Sequence, residues 1–235
     1  MKIPPKLLYY YQSIDFSKKQ ADLKGDLATL TIAKHTNILM YKERHPYLQN
    51  ADADSKNPSN VVLIYTGESR PKANIWKGSK EGSINTEHVY PQSFLGEKNN
   101  PKNNQPKTGD LHHLRYCDSS VNSSRSNHPY TEGSGEAHKV GKNSWYPGDE
   151  WKGDVARMVL YLNLRYNLPT EKVSTKGIGL FLKWNAEDRV SDFEKQRNDE
   201  IEKAQGNRNP FIDNPYLASK IYGEVEGYSP ENTWK

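Results

Sequence analysis

A carboxylate next to an imidazole, Glu87-His88, is followed by Asp110-Leu111-His112-His113-Leu114 and then by Val121-Asn122-Ser123-Ser124-Arg125-Ser126-Asn127. About forty residues thus supply a base, a hard carboxylate oxygen and amide oxygens. Cleaving a phosphodiester asks for a deprotonated water, neutralisation of charge at phosphorus and stabilisation of the leaving oxygen. A neutral imidazole near pH 7 can do the first, which makes His88 the candidate general base. A hard divalent cation can do the other two and prefers oxygen ligands, of which Glu87 offers a carboxylate and Asn122 an amide. The inventory is that of a one-metal phosphodiesterase. Zinc suits it less, because the sequence has no His-x-x-x-His pair and no cysteine cluster.

Local rules constrain these residues further. Neighbours on a strand point to opposite faces, so Glu87 and His88 serve one site only if the backbone bends or a metal bridges the strand edge. Pro91, shortly after, is compatible with such irregularity. His112 and His113 alternate in the same way, so at most one of them faces the site; a hydrogen-bonded, supporting role suits His112. Arg125 lies about one helical turn beyond Asn122, on the same side, where a phosphate contact and a structural ion pair are both open. Asn127 competes with Asn122 as an amide ligand but, close to Pro129, also suits a turn. Arg157 in an apolar helix suits a buried ion pair, and Asn207, Asn209 and Pro210 suit a helix-terminating turn. His35, His45, His128 and His138 show no partner pattern and are expected at the surface.

The elements that would position these side chains can be read from spacing. Leu23, Leu27 and Leu30 predict a helix over 18–35, and Val61 to Tyr65 a buried strand. Residues 99–109 are too polar to pack and too rich in proline for a helix. Residues 110–114 alternate like a strand, after which Asp118 or Ser119 caps a short helix carrying Val121, Asn122 and Arg125. Val155, Met158, Val159, Leu162 and Tyr166 follow helical spacing up to a stop at Pro169. A further helix is expected over 185–204, carrying Val190 and Phe193 and ended by the run from Gly206 to Phe211. Helices on either side of a small irregular β region predict an α+β fold.

With 235 residues and no internal repeat, the expectation is a single domain over 1–235. Aliphatic content is low, but tyrosine can fill a core while keeping a polar tip. The net charge of +4 permits a polyanionic partner without requiring one. Its placement says more: Lys98, Lys102 and Lys107 lie between the first two motifs, with Arg115 and Arg125 in the next two. The lone Cys117 excludes an internal disulfide. No apolar run reaches membrane-spanning length, and the start of the chain lacks the apolar core of a signal peptide, as in an intracellular protein or a mature form.

The segments Thr86-Glu87-His88-Val89-Tyr90-Pro91-Gln92-Ser93, Gly109 to Leu114 and Val121 to Asn127 resemble the endonuclease I family, bacterial nucleases of the ββα-metal (His-Me finger) type. The likeness continues in Asp154 to Leu162, Arg197 to Ile201 and Gln205 to Phe211, covering residues 85–215 in the family's order. It implies a ββα-metal core at about 84–130 in a mixed helical domain. It further implies His88 as general base, Glu87 and Asn122 as ligands of Mg2+ (Mn2+ or Ca2+ being alternates), and hydrolysis of DNA, and often of RNA, with little sequence preference. The ends would be 5′-phosphate and 3′-hydroxyl, and the enzyme a secreted or periplasmic monomer with no membrane partner. Two departures stand out. Some members carry an arginine in the loop between the first two motifs, where this chain has Lys98, Lys102 and Lys107. Some carry a glutamate where Thr108 stands. Lys107 or Arg125 is then the expected substrate-binding cation, with His112 and Asn127 in support. The alternative left open is a catalytically silent nucleic-acid-binding module. A carbohydrate-binding surface protein, suggested by the tyrosines, is the more distant one.

Overall fold

Leu23, Leu27 and Leu30 are buried on one stripe and commit the first long helix to the core. The computed structural model describes residues 1–76, 82–97 and 106–234. The chain opens with the short helix α1 (Leu8–Tyr11), then α2 (Gln20–Lys34) and α3 (Arg44–Ala51). An antiparallel sheet follows, β1 (Ala53–Asp54), β2 (Asn57–Val62) and β3 (Ser69–Pro71), in that order. The strand expected at 61–65 therefore starts earlier and stops at Val62. Leu63 and Ile64 stay buried, and Tyr65 turns into the left-handed region with φ 75°, which breaks the extended run.

The central unit is an antiparallel pair, β4 (Ile84–His88) and β5 (Leu114–Asp118), with Glu87 opposite Arg115 and His88 opposite Leu114. Between them, Pro106–Gly109 form one helical turn, α4. This corrects the expectation of a helix-free loop over 99–109, of which residues 99–105 lie outside the described residues. Proline at a first helical position lacks only an N–H that would have no intrahelical partner. Residues 110–114 are likewise not a strand. The Asp110 carboxylate accepts from the His112 N–H and winds Leu111–His113 into a 3-10 turn, so the strand begins at Leu114. Asp118 then caps α5 (Ser119–Arg125), accepting from the Ser120 and Val121 N–H groups, and α5 packs on both strands.

Beyond a hairpin of β6 (His138–Val140) and β7 (Ser144–Tyr146), helix α6 (Lys152–Tyr166) is buried along most of its length and ends in left-handed Asn167. The helix expected at 185–204 is two helices, α7 (Ile178–Glu187) and α8 (Asp192–Gln205). Ser191 and Glu194 form a reciprocal capping box that starts α8 afresh and stops α7 from continuing through it. Gly206, at φ 92°, terminates α8, and α9 (Pro210–Asp213) and α10 (Tyr216–Tyr222) complete the described chain. Helices flank small antiparallel sheets, an α+β fold.

The larger apolar cluster surrounds α6 and α7. A smaller one, with Leu48, Val61, Ile84, Leu114 and Ile201, lies between α3, α8 and the β4–β5 pair. Buried charge ties β5 to its neighbours. Asp52 contacts Arg115 Nε at 3.1 Å, pairs with Arg197 and accepts the Tyr116 N–H at 2.7 Å. Arg197 also donates to the carbonyls of Leu111 and Leu114, and Arg157 pairs with Glu194 at 2.6 Å, the buried ion pair expected of it. Removing one member of such a group strands the others without solvent. Asp52→Ala, which leaves two buried guanidinium groups short of an anion, is expected to lower unfolding stability by about 3–5 kcal/mol. Urea denaturation measures this; a loss below about 1 kcal/mol, the scale of an exposed pair, would show that the network carries no such weight.

Candidate active site

Side chains of β4 alternate, and each face meets a different set of partners. Asn85 and Glu87 turn toward α5; Thr86 and His88 turn toward α3 and the α4 segment. On the first face, Glu87 is buried and its Oε1 accepts the Tyr65 hydroxyl at 2.8 Å. Arg125 Nε stands 3.1 Å from the same oxygen, an ion pair that is not aligned as a hydrogen bond. Tyr65 lies 2.8 Å from the Tyr130 hydroxyl, and Tyr130 donates to the Val89 carbonyl at 2.9 Å. Burial pushes the Glu87 carboxyl up, while Arg125 and Tyr65 pull it down. Both of these contacts fall on Oε1, and the His88 backbone N–H is a further partner of the carboxylate. Asn122 is held through its amide nitrogen, which donates to Asn85 Oδ1 at 2.7 Å and to the Thr86 carbonyl at 3.2 Å. Its amide oxygen is the group of the side chain that can bind a cation.

On the second face, the His88 ring lies 4.9 Å from Tyr41 and 5.3 Å from His113. Its Nε2 is 3.1 Å from the Thr108 carbonyl oxygen. A carbonyl can only accept, so Nε2 carries the proton and Nδ1 keeps its lone pair. Burial first, and the neighbouring His113 next, push the imidazole down to about 3, so it is neutral at physiological pH. The carbonyl is itself fixed. Glu97 accepts the N–H groups of Lys107 and Thr108 and the Thr108 hydroxyl, the last at 2.6 Å, and His113 Nε2 holds the Lys107 carbonyl at 2.7 Å.

The strand and helix thus place Glu87 with Asn122 on one face of β4 and His88, the next residue along, on the other. Arg125, expected to reach substrate, is instead fully enclosed: Nη1 and Nη2 donate to the carbonyls of Ser126 and Val89, and the guanidinium covers the Tyr130 ring at 4.7 Å. Lys107 is half-buried with Nζ on the Leu95 carbonyl, and Lys98 and Lys102 lie outside the described residues. His112 is away from this group, packed on Tyr161 with Nε2 at the Asn207 carbonyl. Asn127 is exposed, and the left-handed residue of its turn is Ser126, at φ 53°. His35 is buried rather than at the surface, because the end of α2 packs tightly on Gly206, where an added Cβ would meet the Lys34 carbonyl oxygen at 2.4 Å. Sequence reasoning missed Tyr65, Tyr130 and Tyr41, for which the abundance of tyrosine was the only signal.

Among the described residues no three His, Cys, Asp or Glu gather to hold a metal. One carboxylate and one amide fit a hard ion that keeps several waters, not a closed zinc site.

A neutral imidazole with one nitrogen fixed, on the strand that also carries a buried carboxylate with an amide near it, is equipment for hydrolysis. Comparison with known proteins supplies the class: the chain is an endonuclease, not the silent module its departures left open. It belongs to the endonuclease I family, whose model matches residues 19–216. It is similar to an extracellular ribonuclease of Bacillus subtilis (strain 168), 40% identical over 233 residues that take in 91% of this chain and 78% of the relative. An extracellular ribonuclease of Bacillus amyloliquefaciens is 39% identical over 235 residues, with coverage of 91% and 78%. A periplasmic deoxyribonuclease of Aeromonas hydrophila is 30% identical over 115 residues, 45% of this chain and 47% of that protein.

The buried histidines carry a pH signature. Burial pushes His112 from 6.5 down to about 4, against the pull of Asp110. The unfolded chain takes up a proton near 6.5 that the folded chain refuses, so this stability is complete above that pH and is lost as pH falls toward 4. A displacement of that size is worth up to about 3 kcal/mol. Urea unfolding between pH 7.5 and 4.5 should show stability falling with pH, and His112→Asn should flatten the slope. Equal slopes in both proteins would remove His112 from the account.

Proposed function

We propose that the protein is a divalent-metal-dependent endonuclease that hydrolyses RNA and DNA with little sequence preference. The observation that carries this reading is His88: its Nε2–H is spent on the Thr108 carbonyl, and its Nδ1, which makes no hydrogen bond among the described residues, can act as base on the strand that also bears Glu87. His88 Nδ1 takes a proton from a water, the hydroxide attacks phosphorus, and the P–O3′ bond breaks with O3′ taking a proton from a second water, which leaves 5′-phosphate and 3′-hydroxyl ends. Glu87, through its carboxylate, and Asn122, through its amide oxygen, would hold Mg2+, or Mn2+ or Ca2+ in its place. When bound, such an ion supplies charge neutralisation at the phosphate and the leaving oxygen. Tyr65 and Arg125 fix the Glu87 carboxylate for that task. The β4–β5 pair with α5 packed across it is the arrangement expected of a ββα-metal core.

RNA stands beside DNA as substrate because the two relatives that span most of this chain are named ribonucleases, whereas the periplasmic deoxyribonuclease matches less than half of it. The same names support a secreted enzyme. No helix among the described residues is long and apolar enough to cross a membrane.

Nicking of supercoiled plasmid and cleavage of a fluorescent RNA oligonucleotide test the reading. Activity is expected with Mg2+, none with EDTA, and a loss of at least about 100-fold in His88→Ala. Turnover that persists in EDTA, or in His88→Ala at the wild-type rate, would overturn it. Tyr65→Phe and Arg125→Met are each expected to weaken Mn2+ binding, read by titration calorimetry, by about 10–100-fold. Unchanged affinity in both would deny the Glu87 cage its role.

A further inference from the structure

Attack at phosphorus concentrates negative charge on the non-bridging oxygens, and a fixed cation there lowers the barrier. Most buried arginines are unavailable for this, because Arg115, Arg125, Arg157, Arg197 and Arg208 all contact carboxylates. Arg44, in α3, differs. It is 5% exposed, yet among the described residues no carboxylate lies within ion-pairing distance of it. Nε donates to the Thr86 hydroxyl at 2.8 Å and Nη1 to the Tyr41 carbonyl at 2.8 Å, while Nη2 makes no hydrogen bond among those residues. The guanidinium lies 3.7 Å from the centre of the Tyr41 ring, whose centre is 4.9 Å from that of the His88 ring.

Thr86, which anchors Arg44, adjoins Glu87 in sequence, shares its face of β4 with His88 and presents its carbonyl to Asn122. Burial without an anion is costly for a cation and pulls the Arg44 guanidinium below its ordinary range. A rigid, twice-anchored guanidinium with one nitrogen unused is suited to an anion that arrives from outside the chain.

We propose that Arg44 is a catalytic residue, donating from Nη2 to a non-bridging oxygen of the scissile phosphate. This rests on the nuclease reading above, and it assigns the N-terminal part of the chain a share in the chemistry.

The test is steady-state cleavage of the RNA oligonucleotide and of plasmid by wild type, His88→Ala, Arg44→Ala, Arg44→Gln and Arg44→Lys, with thermal melting of each. Arg44→Ala and Arg44→Gln are expected to lower kcat about 100-fold with KM changed by less than about threefold, because the contact strengthens in the transition state. Melting temperature should hold or rise, since an unpaired buried cation is removed. Added guanidinium should restore Arg44→Ala by about tenfold or more and leave His88→Ala unchanged. Should Arg44→Ala fail to fold, Arg44→Lys carries the measurement: it keeps the charge but loses the fork, so kcat should fall about tenfold at constant KM. Wild-type kcat in the folded Arg44 variants, a change in KM alone, or no rescue by guanidinium overturns the assignment. These results leave the nuclease reading intact while wild type cuts and His88→Ala does not; that reading fails on those two controls instead.

Discussion

Successive side chains of an extended strand leave on opposite faces, and along β4 that rule separates Glu87 from His88. The rest of the molecule is arranged around the separation. On one side, α5, Tyr65 and Tyr130 build a polar cage for a carboxylate buried in low dielectric. On the other, α3 and the α4 segment close over an imidazole kept neutral by the same desolvation. Burial disfavours the charged form of both groups, raising the carboxyl and lowering the imidazole, and at Glu87 the Arg125 cation and the Tyr65 hydroxyl oppose it. Asn122 reaches both the Asn85 side chain and the Thr86 main chain, so it joins the faces at one strand.

What could be read from the sequence follows from what is local. The stripe Leu23, Leu27, Leu30, the cap at Asp118 and the apolar spacing of α6 each lie within a few residues of the element they specify, and each appears as expected. The strand expected at 110–114 failed because Leu-His-His-Leu has strand-like alternation, and only the Asp110 carboxylate turning back on His112 decides otherwise. The long helix over 185–204 failed at Ser191, although the Ser-x-x-Glu capping signature stood in the sequence.

The site was legible in its reacting groups and not in their supports. Glu87, His88 and Asn122 sit in motifs, whereas Tyr65 is 22 residues from Glu87 and Arg44 is 42 residues from Thr86, distances that local spacing cannot bridge. For Arg125, a phosphate contact and an ion pair both require the same helical side, so only its burial separates them. Belonging to the endonuclease I family explains why the motifs recur in order, but the family likeness alone did not show which cations were already spent.

The acceptor that sets the His88 tautomer is a main-chain carbonyl, that of Thr108. Any residue can offer a carbonyl, so the departure from glutamate at 108 does not by itself remove the acceptor, although the Thr108 hydroxyl helps to fix it through Glu97. The stricter steric constraint falls one position later. At Gly109 an added Cβ would sit 2.0 Å from the Leu39 carbonyl oxygen, so a methyl group with no place in the chemistry would shift the backbone that aims it. Across homologous chains, invariance at 109 would be the imprint of a base oriented by the path of the backbone.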